Sequence, residues 1–122
     1  MIPERPDYKH HHLWTEAIAL AHEAYALADQ LRDRDPDAAR RLRKVAVSVP
    51  ARVAGALSAE EAPQREADVV GARAALAELV QRAARPGAAG IEPLSRDLLR
   101  RARALEQSVR LELESQANGF VC

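Results

Sequence analysis

Cysteine, aromatic residues, glycine and lysine are all scarce in this chain of 122 residues. Cys122 is the only cysteine, which excludes an internal disulfide and any cysteine-based zinc site, and a reducing compartment is the expected setting. Tyr8, Trp14, Tyr25 and Phe120 are the only aromatics, so the core must be built from small side chains and no platform for stacking bases is expected. The five glycines are scattered, and none belongs to a Gly-rich phosphate loop. No apolar run of about eighteen residues is present, and Pro3-Glu4-Arg5-Pro6-Asp7 stands where a secretory leader would be apolar. A soluble cytoplasmic protein without a membrane partner is therefore expected. Eighteen basic and eighteen acidic residues cancel, so no global field steers the chain towards polyanions, and any basic site must be a local patch. The excess of sixteen arginines over two lysines, Lys9 and Lys44, is read as genome composition rather than as RNA preference.

What is abundant is alanine, followed by leucine, arginine and glutamate, all good helix formers. The length suits one domain, residues 1–122, with one core. Apolar periodicity predicts an all-α, antiparallel up-down-up-down four-helix bundle, with helices over about residues 11–34, 36–57, 62–85 and 93–116 and then a loose tail. In the first helix, Leu13, Ala17, Leu20, Ala24, Leu27 and Leu31 form one row, and Trp14, Ile18, Ala21, Tyr25 and Ala28 form a second beside it. A single core does not require both rows. Either this helix is the most buried one, or its second row meets another subunit. Asp35-Pro36-Asp37 writes the start of the second helix as a capping acceptor, a first-position proline and an acid at the positive dipole end. Ser58-Ala59-Glu60-Glu61 has the form of a capping box for the third helix, with Pro63 arguing for a start nearer Ala62. Val69, Ala72, Leu76, Leu79, Val80 and Ala83 are its expected core. Pro86-Gly87 ends it, with Ala88, Ala89 and Gly90 as a link, and Leu94, Leu98, Ala102, Leu105, Val109 and Leu113 align on the fourth helix before Asn118-Gly119 stops it.

Arg40 to Leu57 organises the chain. Leu42, Val45, Ala46, Val49, Val53 and Ala56 share one helical face, and Pro50 stands within its span. A proline there removes the hydrogen bond that Ala46 C=O would accept and crowds that carbonyl, at a cost of roughly 3 kcal/mol. With no glycine, asparagine or aspartate until Gly55, a kinked continuous helix is expected, helped by Ser48 bonding a carbonyl in the preceding turn.

The segment KVAVSVPARVAG in this stretch closely resembles the AVSIPSNIAEG signature of the bacterial four-helix-bundle proteins named for intervening sequences in 23S ribosomal RNA. The accessory variability proteins of diversity-generating retroelements are similar to that family. Two more segments match in order: Tyr8 to Trp14, with Ala17 and Tyr25 after it, and Ala72 to Leu79, ARAALAEL. The resemblance implies the same bundle, a ring-shaped homo-oligomer that is usually a pentamer, and an accessory role with RNA, DNA or a nucleic-acid-handling protein. The chain departs from the signature at Ala51-Arg52, where the family has Ser-Asn, at Gly55-Ala56, where it has Glu-Gly, and at Ala74-Ala75, where it has Gly-Ser. An activity resting on that Asn and Glu is not implied here.

Motifs for chemistry are missing. Ser48, Ser58, Ser95, Ser108, Ser115, Thr15 and Cys122 lie in no nucleophile elbow and no Cys-His setting, and the acid pairs Glu60-Glu61 and Glu112-Glu114 lie at helix ends or outer faces. His10, His11 and His12 splay about 100° apart on a helix, so no metal is expected, and His11 occupies a family leucine position, which favours packing. No catalytic residue and no cofactor is predicted.

The candidate interfaces are two. Arg96, Arg100, Arg103 and Arg110 form a stripe opposite the apolar face of the fourth helix, while Arg40, Arg41, Lys44 and Arg52 cluster on the second. Clustered cations of this kind meet the minimum for binding a nucleic-acid backbone, and a ring would repeat them by symmetry. Leu13, Leu20 and Leu27, with Leu99 and Leu111 off the core line of the fourth helix, are the candidate oligomer contacts. The competing reading is an assembly scaffold that binds no nucleic acid.

Overall fold

The computed structural model describes residues 8–84 and 92–114, the side chains of 92–95 and 114 excepted. Among them are four α-helices and no strand: α1, His12–Leu31; α2, Pro36–Ser58; α3, Ala62–Ala83; and α4, Glu92–Val109. A 3-10 turn at Tyr8–His10 precedes α1, and a π-helical turn at Arg110–Glu114 follows α4. The expected link at Pro86 to Gly90 and the tail beyond Ser115 lie outside the described residues.

Local chemistry accounts for the boundaries. His11 caps α1 through Nδ1, which accepts from the Leu13 N–H at 3.1 Å, so the ring proton of a neutral His11 sits on Nε2. The helix stops at Leu31, three residues short of the expected end, because Pro36 disfavours helical backbone at Asp35, which stands at φ −148° and ψ 83° and gives its N–H to Leu31 O at 2.7 Å. Asp35 Oδ1 then accepts from Ala38 N–H at 3.0 Å and opens α2. The capping box is a correction. Ser58 is the last residue of α2, its hydroxyl donates to Ala54 O at 2.7 Å, and α3 starts at Ala62 after Glu61, which makes no side-chain cap bond. Ser58 is held by the helix it ends, since a hydroxyl can satisfy the carbonyl four residues back.

The four helices share one core, and each packs chiefly against two others: α1 against α2 and α4, α3 against α2 and α4. Leu13, Leu20 and Leu27 of α1, Leu42, Val49 and Val53 of α2, Leu76 and Leu79 of α3, and Leu98, Leu105 and Val109 of α4 are its largest fully buried members. Buried alanines, including Ala17, Ala24, Ala46, Ala72 and Ala102, let the helix backbones approach closely between those leucines. Pro50 is buried within α2, and Ser48 Oγ donates to Val45 O at 2.6 Å in the same turn. Among the described residues no helix is long and apolar enough to cross a membrane.

Two glycines set the fit of α2 on α3. A Cβ at Gly55 would stand 2.6 Å from Asp68 Oδ2, and one at Gly71 would stand 2.9 Å from Arg52 Nε. Each helix thus carries a glycine under a charged side chain of the other, and the two side chains meet, Arg52 Nη1 donating to Asp68 Oδ1 at 3.4 Å.

Candidate functional site

The cationic residues of α2 divide by partner. Arg40 pairs with Asp37 on its own helix at 2.7 Å, and Arg43 with Asp29 of α1 at 3.1 Å. Arg52 is drawn across Gly71 to Asp68 and leaves the basic cluster. Arg41 and Lys44 are exposed and have no carboxylate within ion-pair distance among the described residues. With Val45, Ser48, Glu78 and Arg82 they line an open cleft of about 500 Å³ between α2 and α3. Glu78 and Arg82 were not anticipated from sequence. Their spacing of four on α3 was the available signal, and the structure joins them, Glu78 Oε1 accepting from Arg82 Nε at 3.1 Å and from Nη2 at 3.0 Å.

The α4 arginines stand on the far side of the fold. Arg96, Arg103 and Arg110 are exposed and carry no carboxylate partner among the described residues, while Arg100 pairs with Asp97 at 2.9 Å. That pair is 77% and 59% exposed, as Arg40 with Asp37 is 74% and 70% exposed, so water and salt screen both and neither removes its arginine from competition for a phosphate. Arg103 borders a shallower groove of about 310 Å³ with Ala77, Val80 and Gln81 of α3. The stripe and the α2–α3 cleft do not merge into one surface, because α3 lies between them.

The remaining charges stitch helices together. Arg73 Nε donates to Glu106 Oε1 at 2.9 Å across α3 and α4, and Arg101 Nε pairs with Glu23 Oε1 at 2.8 Å across α4 and α1. His12 Nε2 meets Glu112 Oε1 at 2.7 Å, with Glu16 Oε1 3.6 Å from its Nδ1. The hydrogen bond to Glu112 raises the His12 imidazole above its usual range against a smaller opposing effect of burial, and the Glu112 and Glu16 charges add to the rise. The rings of His11 and His12 stack at 4.8 Å, because His11 is the cap and stands outside the helix that carries His12. Among the described residues no three histidine, cysteine or acidic side chains converge as metal ligands.

The candidate oligomer contacts require a correction. Leu13, Leu20 and Leu27 are 0%, 1% and 1% exposed, so they belong to the core of one chain and are closed to a second subunit. Their row faces α2 and α4 inward; the flanking row carries the accessible residues, with Tyr25 40% exposed and Trp14 only partly buried. Leu99 is partly buried against the core, whereas Leu111 is 56% exposed on the turn after α4. Val80, expected in the core, is also only partly buried. Comparison with protein-family models, with curated proteins and with solved structures yields no match to this chain.

Proposed function

We propose that this protein is a non-catalytic, self-associating accessory that binds RNA or DNA through phosphate contacts. The observation that carries the reading is selective pairing: the interhelical cations Arg43, Arg73 and Arg101 are tied to carboxylates, while Arg41, Lys44, Arg96, Arg103 and Arg110 are exposed and unpaired among the described residues. Cations with structural work are occupied, and those left over cluster on α2 and along α4 with the turn after it. The resemblance of the α2 signature to the intervening-sequence proteins supports an accessory role and a ring, usually pentameric, that would multiply a weak patch. A cytoplasmic setting and the absence of enzymatic activity belong to the same reading.

The arrangement inferred for the scaffold is antiparallel, up-down-up-down. From His12 to Glu23 along α1, and from Glu112 to Arg101 towards α4, the paired partners step eleven residues in opposite directions, which supports antiparallel α1 and α4. Arg52 with Asp68, beside Gly55 and Gly71, supports the same for α2 and α3. A kink at Pro50 is inferred from its interior position and the Ser48 back-bond.

Fluorescence anisotropy of a labelled structured RNA and of a DNA duplex, from low to physiological salt, tests the reading. Saturable binding is expected, with log K falling by roughly 0.9 per contacted phosphate for each unit of log salt on a duplex. Replacing Arg96, Arg103 and Arg110 with Gln lowers that slope and leaves oligomer mass unchanged. Absence of binding at low salt refutes the reading and leaves an assembly scaffold, which the exposed Tyr25, Val47, Val70 and Leu111 favour.

A further inference from the structure

We propose that the α2–α3 cleft receives a terminal phosphomonoester, with Arg41, Lys44 and the free edge of Arg82 as its ligands. The inference rests on the nucleic-acid reading above and narrows it to one group at one place. Three cations and one carboxylate line the cleft, Arg41, Lys44 and Arg82 against Glu78, an excess of two positive charges. A phosphomonoester carries about 1.5 to 2 negative charges at pH 7 and matches that excess, whereas a single diester inside a strand carries one. Glu78 does not cancel the site. Both bonds it accepts come from the Nε and Nη2 side of Arg82 and converge on a single oxygen, so the guanidinium is held flat while its Nη1 side remains available.

The walls limit the ligand further. Ser48 has committed its hydroxyl proton to Val45 O at 2.6 Å, and Val45 is 5% exposed, so the floor adds no further donor to the three cations. No aromatic residue lines the cleft, hence a base has nothing to stack on and recognition stops at the phosphate. Packed helices stand roughly 8–10 Å apart axis to axis, so the groove between α2 and α3 admits a phosphate and its sugar but not the body of a duplex. An end fits better than a continuous backbone.

The test uses the full chain and one oligonucleotide sequence prepared with a 5′-phosphate or a 5′-hydroxyl, compared by anisotropy at physiological salt. The phosphorylated strand is expected to bind roughly tenfold more tightly, the range of one charge-assisted hydrogen bond or more. Lys44→Gln and Arg82→Gln should each erase the preference, with circular dichroism confirming unchanged helicity, while Ser48→Ala keeps it. Adenosine monophosphate as competitor separates the sources of the group: displacement at the strand's own concentration supports the site with a free nucleotide as its ligand, and displacement only in large excess supports the strand end. Equal affinity for the two ends overturns the proposal. If binding then still depends on Arg96, Arg103 and Arg110, the backbone reading survives alone; if neither strand binds, both fall.

Discussion

Replacing Leu20 with alanine tests the assignment of the Leu13-Leu20-Leu27 row to the core of a single chain. Leu20 is 1% exposed and belongs to the cluster contributed by all four helices. Truncation removes three carbons, about 2.4 kcal/mol at ~0.8 kcal/mol each. The neighbours Ala17, Ala21 and Ala24 are too short to fill the gap, so a cavity contribution adds to this and the expected loss is about 3–4 kcal/mol. Against a total stability of about 5–15 kcal/mol such a loss is large, and the midpoint should fall by roughly 10–15 °C for a chain of this size. Urea unfolding followed by circular dichroism at two protein concentrations provides the assay, with an unchanged slope and a loss independent of concentration expected. A loss below about 1 kcal/mol, or one present only at the concentrations where subunits associate, would show that Leu20 faces a partner and refute the core assignment.

His12 should titrate above the ordinary histidine value because its protonated form is held by Glu112 and Glu16, and Glu112→Gln should bring it down in an NMR titration. A raised folded pKa means that the contribution to stability is complete below about 6.5, the unfolded value, and fades as pH rises through the folded one. Unfolding midpoints of the wild type and Glu112→Gln should therefore converge at high pH; a gap that widens with pH refutes the sign. Gly55→Ala gains about 1 kcal/mol of helix propensity but pushes the Asp68 carboxyl aside, so it should be near neutral alone and stabilising in an Asp68→Ala background. Equal effects in the two backgrounds would show that Asp68 yields freely. Sedimentation should give the wild type a mass above the 13.4 kDa of one chain, and Leu111→Asp should reduce it with helicity unchanged; a wild type at single-chain mass refutes self-association.

The helices were legible wherever one apolar row had no rival. On α4 and the turn after it the row Leu98, Ala102, Leu105, Val109 and Leu113 is buried as its spacing demands, and Asp35-Pro36 announces the start of α2 to the residue. On α1 two adjacent rows are both apolar, and only the positions of α2 and α4 decide which faces inward; that information is spread over the whole chain. Ser58 failed for a related reason, since its hydroxyl could accept from the Glu61 N–H as a cap or donate to a carbonyl of the helix behind it, and the completed helix, which holds Ser58 as its last residue, prevailed. At the candidate site, Arg41 and Lys44 were visible as charge clustering on one helix. Arg82 was not, because its place in the cleft depends on which residue of α3 lies opposite the start of α2. Nor does a helical repeat distinguish Arg52, bound across Gly71, from cations left in solvent.

The paired glycines bear on the proposed ligand as a gauge of alignment. Faces rich in alanine and valine slide past one another at little cost, since one small residue replaces another. Here a slip of one turn, about 5.4 Å, would put side chains larger than hydrogen beneath Arg52 and Asp68. The contact is with the mobile ends of those two side chains, so it favours the observed phase of α2 against α3 by a modest amount. The same phase places Arg82 beside Arg41 and Lys44, far along the groove from the glycines that favour it. Two residues without side chains thus act as an index mark by which two cations of α2 and one of α3 are brought to a common address.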